Sequence, residues 1–394
     1  MPDSDLTAEI ESAIADAAPE AVELRHAIHA YPEPGFEEVE TAKKVVQQLE
    51  PVPGIELQTG VAETGVVALL GADRPGPCVA LRADMDCLPM EDACGQPYAS
   101  TRPGFAHACG HDGHTAGLVG AAKVLARFRD RLPGPVKFVF QPAEEGKGGA
   151  RHMIEAGVLK NPEVAAIFGI HGMPGLPLGT NALRPGPMMA ASDSLRITIQ
   201  GKGSHAAMPD LGTDPVAVAA QVITALQTVV SRNVDPLDAA VVSITTLKGG
   251  QAFNVIPDEV EMTGTIRTME PETRDRVHRR VKEVAEGVAR AMGATATVVD
   301  PYGYPVTRNH PDACEYVTAI CDRYLSRFSP RVEATPIMGG EDFAFYAENV
   351  PANFLLLGVD PPDADAPPAL LHQSHYDFND DAIPYAIRVH VHTA

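Results

Sequence analysis

Apolar positions near the start of the chain recur at helical spacing. Ile10, Ile14, Val22 and Ile28 predict an amphipathic helix over residues 5–30, which Pro32, Pro34 and Gly35 bring to a stop. Val39, Ala42, Val45, Val46 and Leu49 form a second stripe and predict a helix over 37–49. The period then changes. Short, continuous apolar runs at 65–70, 78–82, 136–141 and 165–171 read as strands, with a helix over 115–128 before the third. The last run breaks off at a polar residue, His171. Unbroken apolar strands alternating with helices indicate an α/β layer whose sheet is covered on both faces.

Between residues 193 and 302 the pattern is different. SLRITIQ (194–200) alternates like a half-exposed strand, and the helix expected over 214–232 places Val216, Ala220, Ile223 and Leu226 on its buried face. Strands at 240–247 and 259–268, a charged helix over 271–292 and a strand at 295–299 complete the segment. The order β-α-β-β-α-β is that of a split βαβ, ferredoxin-like sandwich. Proline-glycine stretches, LRPGPMM (183–189) and DPYGYP (300–305), bracket it as the hinges of an inserted domain would. The α/β pattern resumes after residue 311 with a helix over 312–328, the loop MGGEDF, a strand at 354–358 and a final helix. DPPDADAPP (360–368) reads as a flexible acidic loop. The expectation is a discontinuous α/β domain carrying a compact α+β insertion.

Length agrees with this division, since 394 residues exceed what one ordinary core organises. A net charge of −21 argues against nucleic acid or an anionic membrane surface as a partner. The N-terminal residues are acidic and lack a basic stretch followed by an apolar one, and no apolar run is long enough to span a bilayer. Six cysteines without a CxxC pair suit reduced thiols and a cytoplasmic location.

The densest chemistry lies in HACGHDGHTAGLVGAA (107–122), where Cys109, His107, His111 and His114 surround a glycine-bearing turn that runs into an alanine-rich helix. Soft and borderline donors two residues apart on a loop held by a rigid element suit a transition metal. Other candidates follow strand ends, where open α/β sheets place their sites. They are Asp84 and Asp86 in ADMDCLP, Glu144 and Glu145 in QPAEEG, His171, and His372 and His375 in LHQSHYDF. One thiol, several imidazoles and several carboxylates exceed the needs of a single tetrahedral ion, so two divalent ions are the economical account. Zn²⁺, Mn²⁺, Co²⁺ and Ni²⁺ all accept such mixed donors. Adjacent glutamates can divide the labour, one binding metal and the other deprotonating a water whose pKa coordination lowers from about 15.7 towards about 7.

RHAIHAYPEPGFEE, LRADMDCLPM, HACGHDGHTAGLVGAA, VFQPAEEGKGGARHMIEAG, FGIHGMP, GKGSHAAMPD, AFNVIPDEVEMTGTIRT, MGGEDFAFY and LHQSHYDFND follow one another along nearly the whole chain. In this series the sequence resembles the metal-dependent aminoacylase and carboxypeptidase family, in the amidohydrolase branch that holds hippurate hydrolases and indole-acetyl-amino-acid hydrolases. The resemblance implies a mixed-sheet, metallopeptidase-like catalytic domain, residues 1–188 and 303–394, with an inserted ferredoxin-like lid and dimerisation domain, residues 189–302. It implies that Cys109, His111, Glu145, His171 and His372 bind two divalent metals, Cys109 bridging them, with Glu144 as general base. Asp86 falls where the family keeps an acid that orients a ligand, whereas Asp84 stands where other branches have a ligand histidine and is left out of the shell. His372 is preferred to His375 because a histidine, three residues and an aromatic, here Tyr376, is the family spacing. In the inserted domain the resemblance puts His205 near the substrate carbonyl oxygen, reaching over from a partner subunit, with Asn254 binding substrate and Arg267 holding its carboxylate. A homodimer, or a tetramer, through the inserted domain is also implied.

Two departures from the family pattern are Ser204 where glycine is usual and the missing aromatic after His171. Arg267 on a strand could instead be a surface cation paired with a glutamate. His26 and His29 read as structural, while His107, His114 and His152 read as hydrogen-bonding supports of the ligands. Gly339, Gly340, Glu341 and Asp342 predict a turn close to the site. The expected reaction is hydrolysis of an N-acyl-L-amino acid by a metal-activated water. The alternatives are an exopeptidase using the same site, a metal-free cysteine amidase built on Cys109 and His111, and a non-catalytic binding protein.

Overall fold

The computed structural model describes residues 4–361 and 368–394, and most of the acidic loop expected at 360–368 lies outside the described residues. The chain divides into two compact units, one of Met1–Met188, Arg308–Thr335 and Phe345–Ala394, the other of Met189–Thr307 and Pro336–Ala344.

The first unit is built on an eight-stranded mixed sheet. Its strand order is Ile55–Val61, Gly65–Leu70, Val136–Gln141, Cys78–Asp84, Val164–Pro177, Ala352–Asp360, Asn181–Leu183 and Arg331–Glu333. The centre is parallel: Cys78–Asp84 runs alongside both Val136–Gln141 and Val164–Pro177, and Ala352–Asp360 alongside the latter. The apolar runs become buried strands because both faces are covered, and Val136–Gln141 is buried throughout. Ile55–Val61 was not anticipated, because its residues are mostly exposed and carry no apolar run. The run expected to end at His171 continues as strand to Pro177, so His171 lies within the strand.

Helix α1 (Ser4–His29), α2 (Val39–Leu49) and α3 (His111–Arg127) belong to this unit, and α1 and α3 pack against each other and against the C-terminal helix Ile383–Thr393. Close approach of α3 depends on its small residues. A Cβ at Gly120 would stand 2.5 Å from Ile387 Cδ1, and one at Gly113 would stand 2.5 Å from the Phe378 ring. α3 starts at His111, four residues before the expected position, because Gly110 adopts φ +88 and turns the chain directly into the helix. The helix expected over 312–328 ends at Ile320 and passes into a π-helical turn, Cys321–Leu325.

The second unit contains a four-stranded antiparallel sheet ordered Ala240–Lys248, Glu259–Thr268, Ala191–Gln200, Thr295–Val299, with α5 (Pro215–Asn233) and α6 (Pro271–Ala291) packed on it; α4 (Gly149–Glu155) belongs to the first unit. This is the ferredoxin-like β-α-β-β-α-β arrangement. Asp214 caps α5 by accepting the N–H of Val216 at 2.9 Å, and Pro215 occupies its first turn. The face predicted for α5 is corrected. Pro215, Val218, Ala219, Val222, Leu226 and Val229 are buried, whereas Val216 and Ala220 are exposed and Ile223 is only partly covered. Its first six residues, Pro215 to Ala220, are all apolar, so a 3.6 period fits more than one stripe there, and packing on the sheet chose between them.

Candidate metal centre

Five segments of the first unit meet at one cluster. The turn into α3 and the first residue of that helix supply Cys109 and His111, the loop after Val136–Gln141 supplies Glu144 and Glu145, the strand Val164–Pro177 supplies His171, and the C-terminal loop supplies His372. The fifth segment, after Cys78–Asp84, brings Asp86. Donor atoms of Cys109, His111 and His171 lie within 4.8 Å of one another, as do those of Cys109, Glu145 and His372, and those of His111, Glu144 and Glu145. The overlapping triplets form one continuous donor set. All of its members except the part-exposed Glu145 and the exposed His372 are buried.

Hydrogen bonds orient these donors. His111 Nδ1 stands 2.9 Å from the Asp86 carbonyl and 3.3 Å from Asp86 Oδ1, so that nitrogen carries the proton. His111 Nε2 is buried with no hydrogen-bond partner. Asp86 Oδ2 also accepts the N–H of Glu145 at 2.9 Å, tying the glutamate loop to the same carboxylate. His171 Nδ1 donates to the Gly172 carbonyl at 2.8 Å, leaving Nε2 facing Cys109 Sγ at 3.5 Å. His372 Nε2 lies 3.4 Å from Glu145 Oε1, and its backbone N–H donates to Ala108 at 2.8 Å with φ at +63. His375 has no place in the cluster; its ring is exposed beside the Ser374 hydroxyl.

Asp84 is fully buried and already occupied. Arg82 donates to Oδ2 at 2.7 Å, His114 Nδ1 lies 2.7 Å from Oδ1, and the Thr115 hydroxyl donates to the backbone carbonyl. His114 Nε2 accepts the Gly172 N–H at 2.8 Å, so this ring bridges the Asp84 carboxylate to the residue after His171. The other two expected supports behave differently. His107 is buried with neither ring nitrogen partnered, and burial pushes its pKa down to about 3. His152 is exposed and packs edge-on against Phe36. His26 and His29 hold acids, Asp380 and Asp112, at 2.8 Å.

Burial opposes charge on His111, yet Asp84 and Cys109 outweigh it and hold the imidazolium well above its usual range. Cys109 and Glu145 raise His372 to about 10. Burial and Glu145 push the Cys109 thiol up, while His372 and His111 draw Glu145 down against its burial.

The remaining predicted residues lie in the second unit. His205 sits in the short strand Ser204–His205 opposite Val255, and Ala206 N–H donates to the Asn254 carbonyl at 3.0 Å, so His205 and Asn254 are neighbours on an exposed surface. Arg267 lies in the strand Glu259–Thr268 opposite Ser192 and Val241. Its half-buried guanidinium donates to the Ile266 carbonyl at 3.1 Å and to the Thr265 hydroxyl. Residues 336–344, including Gly339, Gly340, Glu341 and Asp342, group with this unit, where a Cβ on Gly340 would meet Ser192.

Sequence reasoning missed Glu38, whose Oε1 holds the backbone next to Glu144, and the ion network that joins Arg25 of α1 to Asp112 of α3 and to Asp377. A buried acid reads as ordinary surface polarity until its partner, more than eighty residues away, is known.

Residues 80–394 match the model of peptidase family M20/M25/M40. N-acetylcysteine deacetylase of Bacillus subtilis (strain 168) is 43% identical over 338 residues, which cover 86% of this chain and 88% of that protein. IAA-amino acid hydrolase ILR1-like 2 of Arabidopsis thaliana is 42% identical over 95% of this chain and 84% of its own. The crystal structure of the Bacillus subtilis YXEP protein, a dinuclear metal binding peptidase from the M20 family, aligns with a TM-score of 0.82 at 36% identity, covering 96% of this chain and 97% of that one. With sequence and fold agreeing over nearly its full length, the chain is a hydrolase belonging to peptidase family M20/M25/M40.

Proposed function

We propose that this hydrolase cleaves the amide bond of N-acyl-L-amino acids at a dinuclear centre held by Cys109, His111, Glu145, His171 and His372. The observation that carries the reading is the meeting of these donors from distant segments, with the buried His111 Nε2 left unpartnered. Two relatives named for N-acyl amino acid substrates and one named for dinuclear metal binding support it. Two divalent cations, when bound, would polarise the substrate carbonyl and acidify a water. Glu144, buried beside Glu145, takes the proton from the attacking water and returns it to the leaving amine. Asp86 orients His111 and the Glu145 loop, and His114 and Asp84 brace the strand bearing His171.

In this reading His205 reaches the substrate carbonyl oxygen from a partner subunit, Asn254 binds the acyl-amino acid and Arg267 holds its carboxylate. The second unit is also the dimerisation domain in this reading. Phe253 is fully exposed, and Met208, Leu211, Val216, Leu247 and Val255 are exposed apolar residues of the same unit.

The test is a panel of N-acetyl, N-benzoyl and indole-acetyl amino acids beside dipeptides, run on protein reconstituted separately with Zn²⁺, Mn²⁺, Co²⁺ and Ni²⁺. Turnover of acyl amino acids is expected to exceed that of dipeptides. Faster dipeptide cleavage would make the enzyme an exopeptidase, and no turnover with any metal would refute the hydrolytic assignment of this centre.

A further inference from the structure

A second nitrogen, oxygen and sulfur donor set lies outside the centre described above and shares no residue with it. His29 near the end of α1 meets Asp92 and Cys94 from the loop that precedes α3, and their donor atoms lie within 4.8 Å of one another. His29 Nδ1 is 2.8 Å from Asp112 Oδ2, while Nε2 faces Asp92 Oδ2 at 3.4 Å and Cys94 Sγ at 3.7 Å. Asp92 is itself held in place: Oδ1 accepts the Cys94 N–H at 2.9 Å and Oδ2 accepts the Ser100 N–H at 2.6 Å.

We propose that His29, Asp92 and Cys94 form a further divalent-cation site of zinc type, which staples the 91–100 loop to α1. The spacing is that of ligands around one tetrahedral ion. Bond lengths of about 2.0–2.2 Å to nitrogen and oxygen and about 2.3 Å to sulfur put neighbouring donors about 3.4 Å (N to O) and about 3.6 Å (N to S) apart. The 3.4 Å between His29 and Asp92 is long for a hydrogen bond, whose usual length is about 2.9 Å, and the same ring makes one of 2.8 Å on its other side. The Asp112–His29 pair matches the carboxylate–histidine–metal arrangement, in which the acid fixes the ring and leaves the far nitrogen free to bind. A thiol among the donors selects zinc-like ions over magnesium or calcium. Binding displaces the proton of the Cys94 thiol into solvent, keeps the His29 proton on Nδ1 towards Asp112, and leaves the fourth position to water.

The site has a consequence for the catalytic centre. Ala93 N–H donates to the Ser374 carbonyl at 2.7 Å, and the Tyr98 hydroxyl donates to Asp377 Oδ2 at 2.9 Å. The stapled loop therefore holds the segment that carries His372.

Metal content of the full chain, stripped with chelator and reloaded with Zn²⁺ or Co²⁺, tests this. Cys94→Ser is expected to bind one equivalent fewer than wild type and to lose part of the thiolate-to-Co²⁺ absorption. Asp92→Asn gives the same readout should Cys94→Ser fail to fold. In the unaltered chain, Zn²⁺ should slow alkylation of Cys94, followed at its peptide, by about tenfold or more. Equal metal content in wild type and variants, or an alkylation rate indifferent to Zn²⁺, overturns the proposal. Because the readout is a difference at Cys94, it stands or falls separately from the dinuclear centre, which His171→Ala would impair while sparing Cys94 protection.

Discussion

The carboxylate of Glu38 holds the backbone of Ala143: Oε1 accepts the Ala143 N–H at 2.8 Å, and Ala143 sits at φ +58 immediately before Glu144. Burial and the neighbouring Asp86 raise Glu38 to about 7 from an ordinary 4.5. Between those pH values the native chain keeps a proton that the unfolded chain has released, so stability falls as pH rises through that window. Glu38→Gln keeps an acceptor and cannot ionise. In chelator-treated protein it should remove about 3 kcal/mol of pH-dependent loss, read from denaturant unfolding at pH 5 and pH 8. An unaltered pH dependence would show that Glu38 does not titrate there.

Glu144 is assigned the proton transfers, and Gln in its place cannot perform them. Glu144→Gln should lower kcat by about 10²–10⁴-fold with metal content unchanged. A near-normal rate, or loss of metal, would move Glu144 out of that role.

His372 and His375 lie three residues apart, yet only His372 reaches Glu145, at 3.4 Å. His372→Ala is expected to lose bound metal and most turnover, whereas His375→Ala should keep both. Elemental analysis of the two variants decides the matter, and the reverse result would exchange their roles.

Gly113 in α3 faces the Phe378 ring so closely that a Cβ would come within 2.5 Å. Alanine gains about 1 kcal/mol in helix propensity over glycine, but overpacking costs about 1–3 kcal/mol and dominates against a ring with no room to retreat. Gly113→Ala should therefore destabilise the first unit. A raised melting temperature would contradict this.

In the second unit, Asp193 is buried and receives Arg274, His278 and the Gly303 N–H. Its carboxyl is held at about 2, because these partners overcome the cost of burial. Arg274→Ala leaves that charge with fewer partners and should cost about 3 kcal/mol in the unfolding of this unit. A change near zero would mean that His278 and the backbone suffice.

The runs 65–70 and 136–141 and the strand 259–268 were legible to the residue because hydrophobic period and turn chemistry are local properties. The ferredoxin-like order was legible for the same reason. The buried face of α5 was not, since its uniformly apolar start, Pro215 to Ala220, offers several stripes and only the facing sheet selects one. The candidate donors Cys109, His111, Glu145, His171 and His372 were named by motif and resemblance, and the fold brings them together. Their chemistry depends on relations that spacing does not encode: the unpartnered His111 Nε2, the Asp86 carboxylate shared by His111 and Glu145, and the Glu38 acceptor 105 residues from Ala143. What the chain alone determined was therefore the elements, their order and the donors available. Which donors meet, and which acids are buried beside them, was decided by the tertiary structure, because desolvation and hydrogen bonding act between atoms brought together only when distant strands and loops pack.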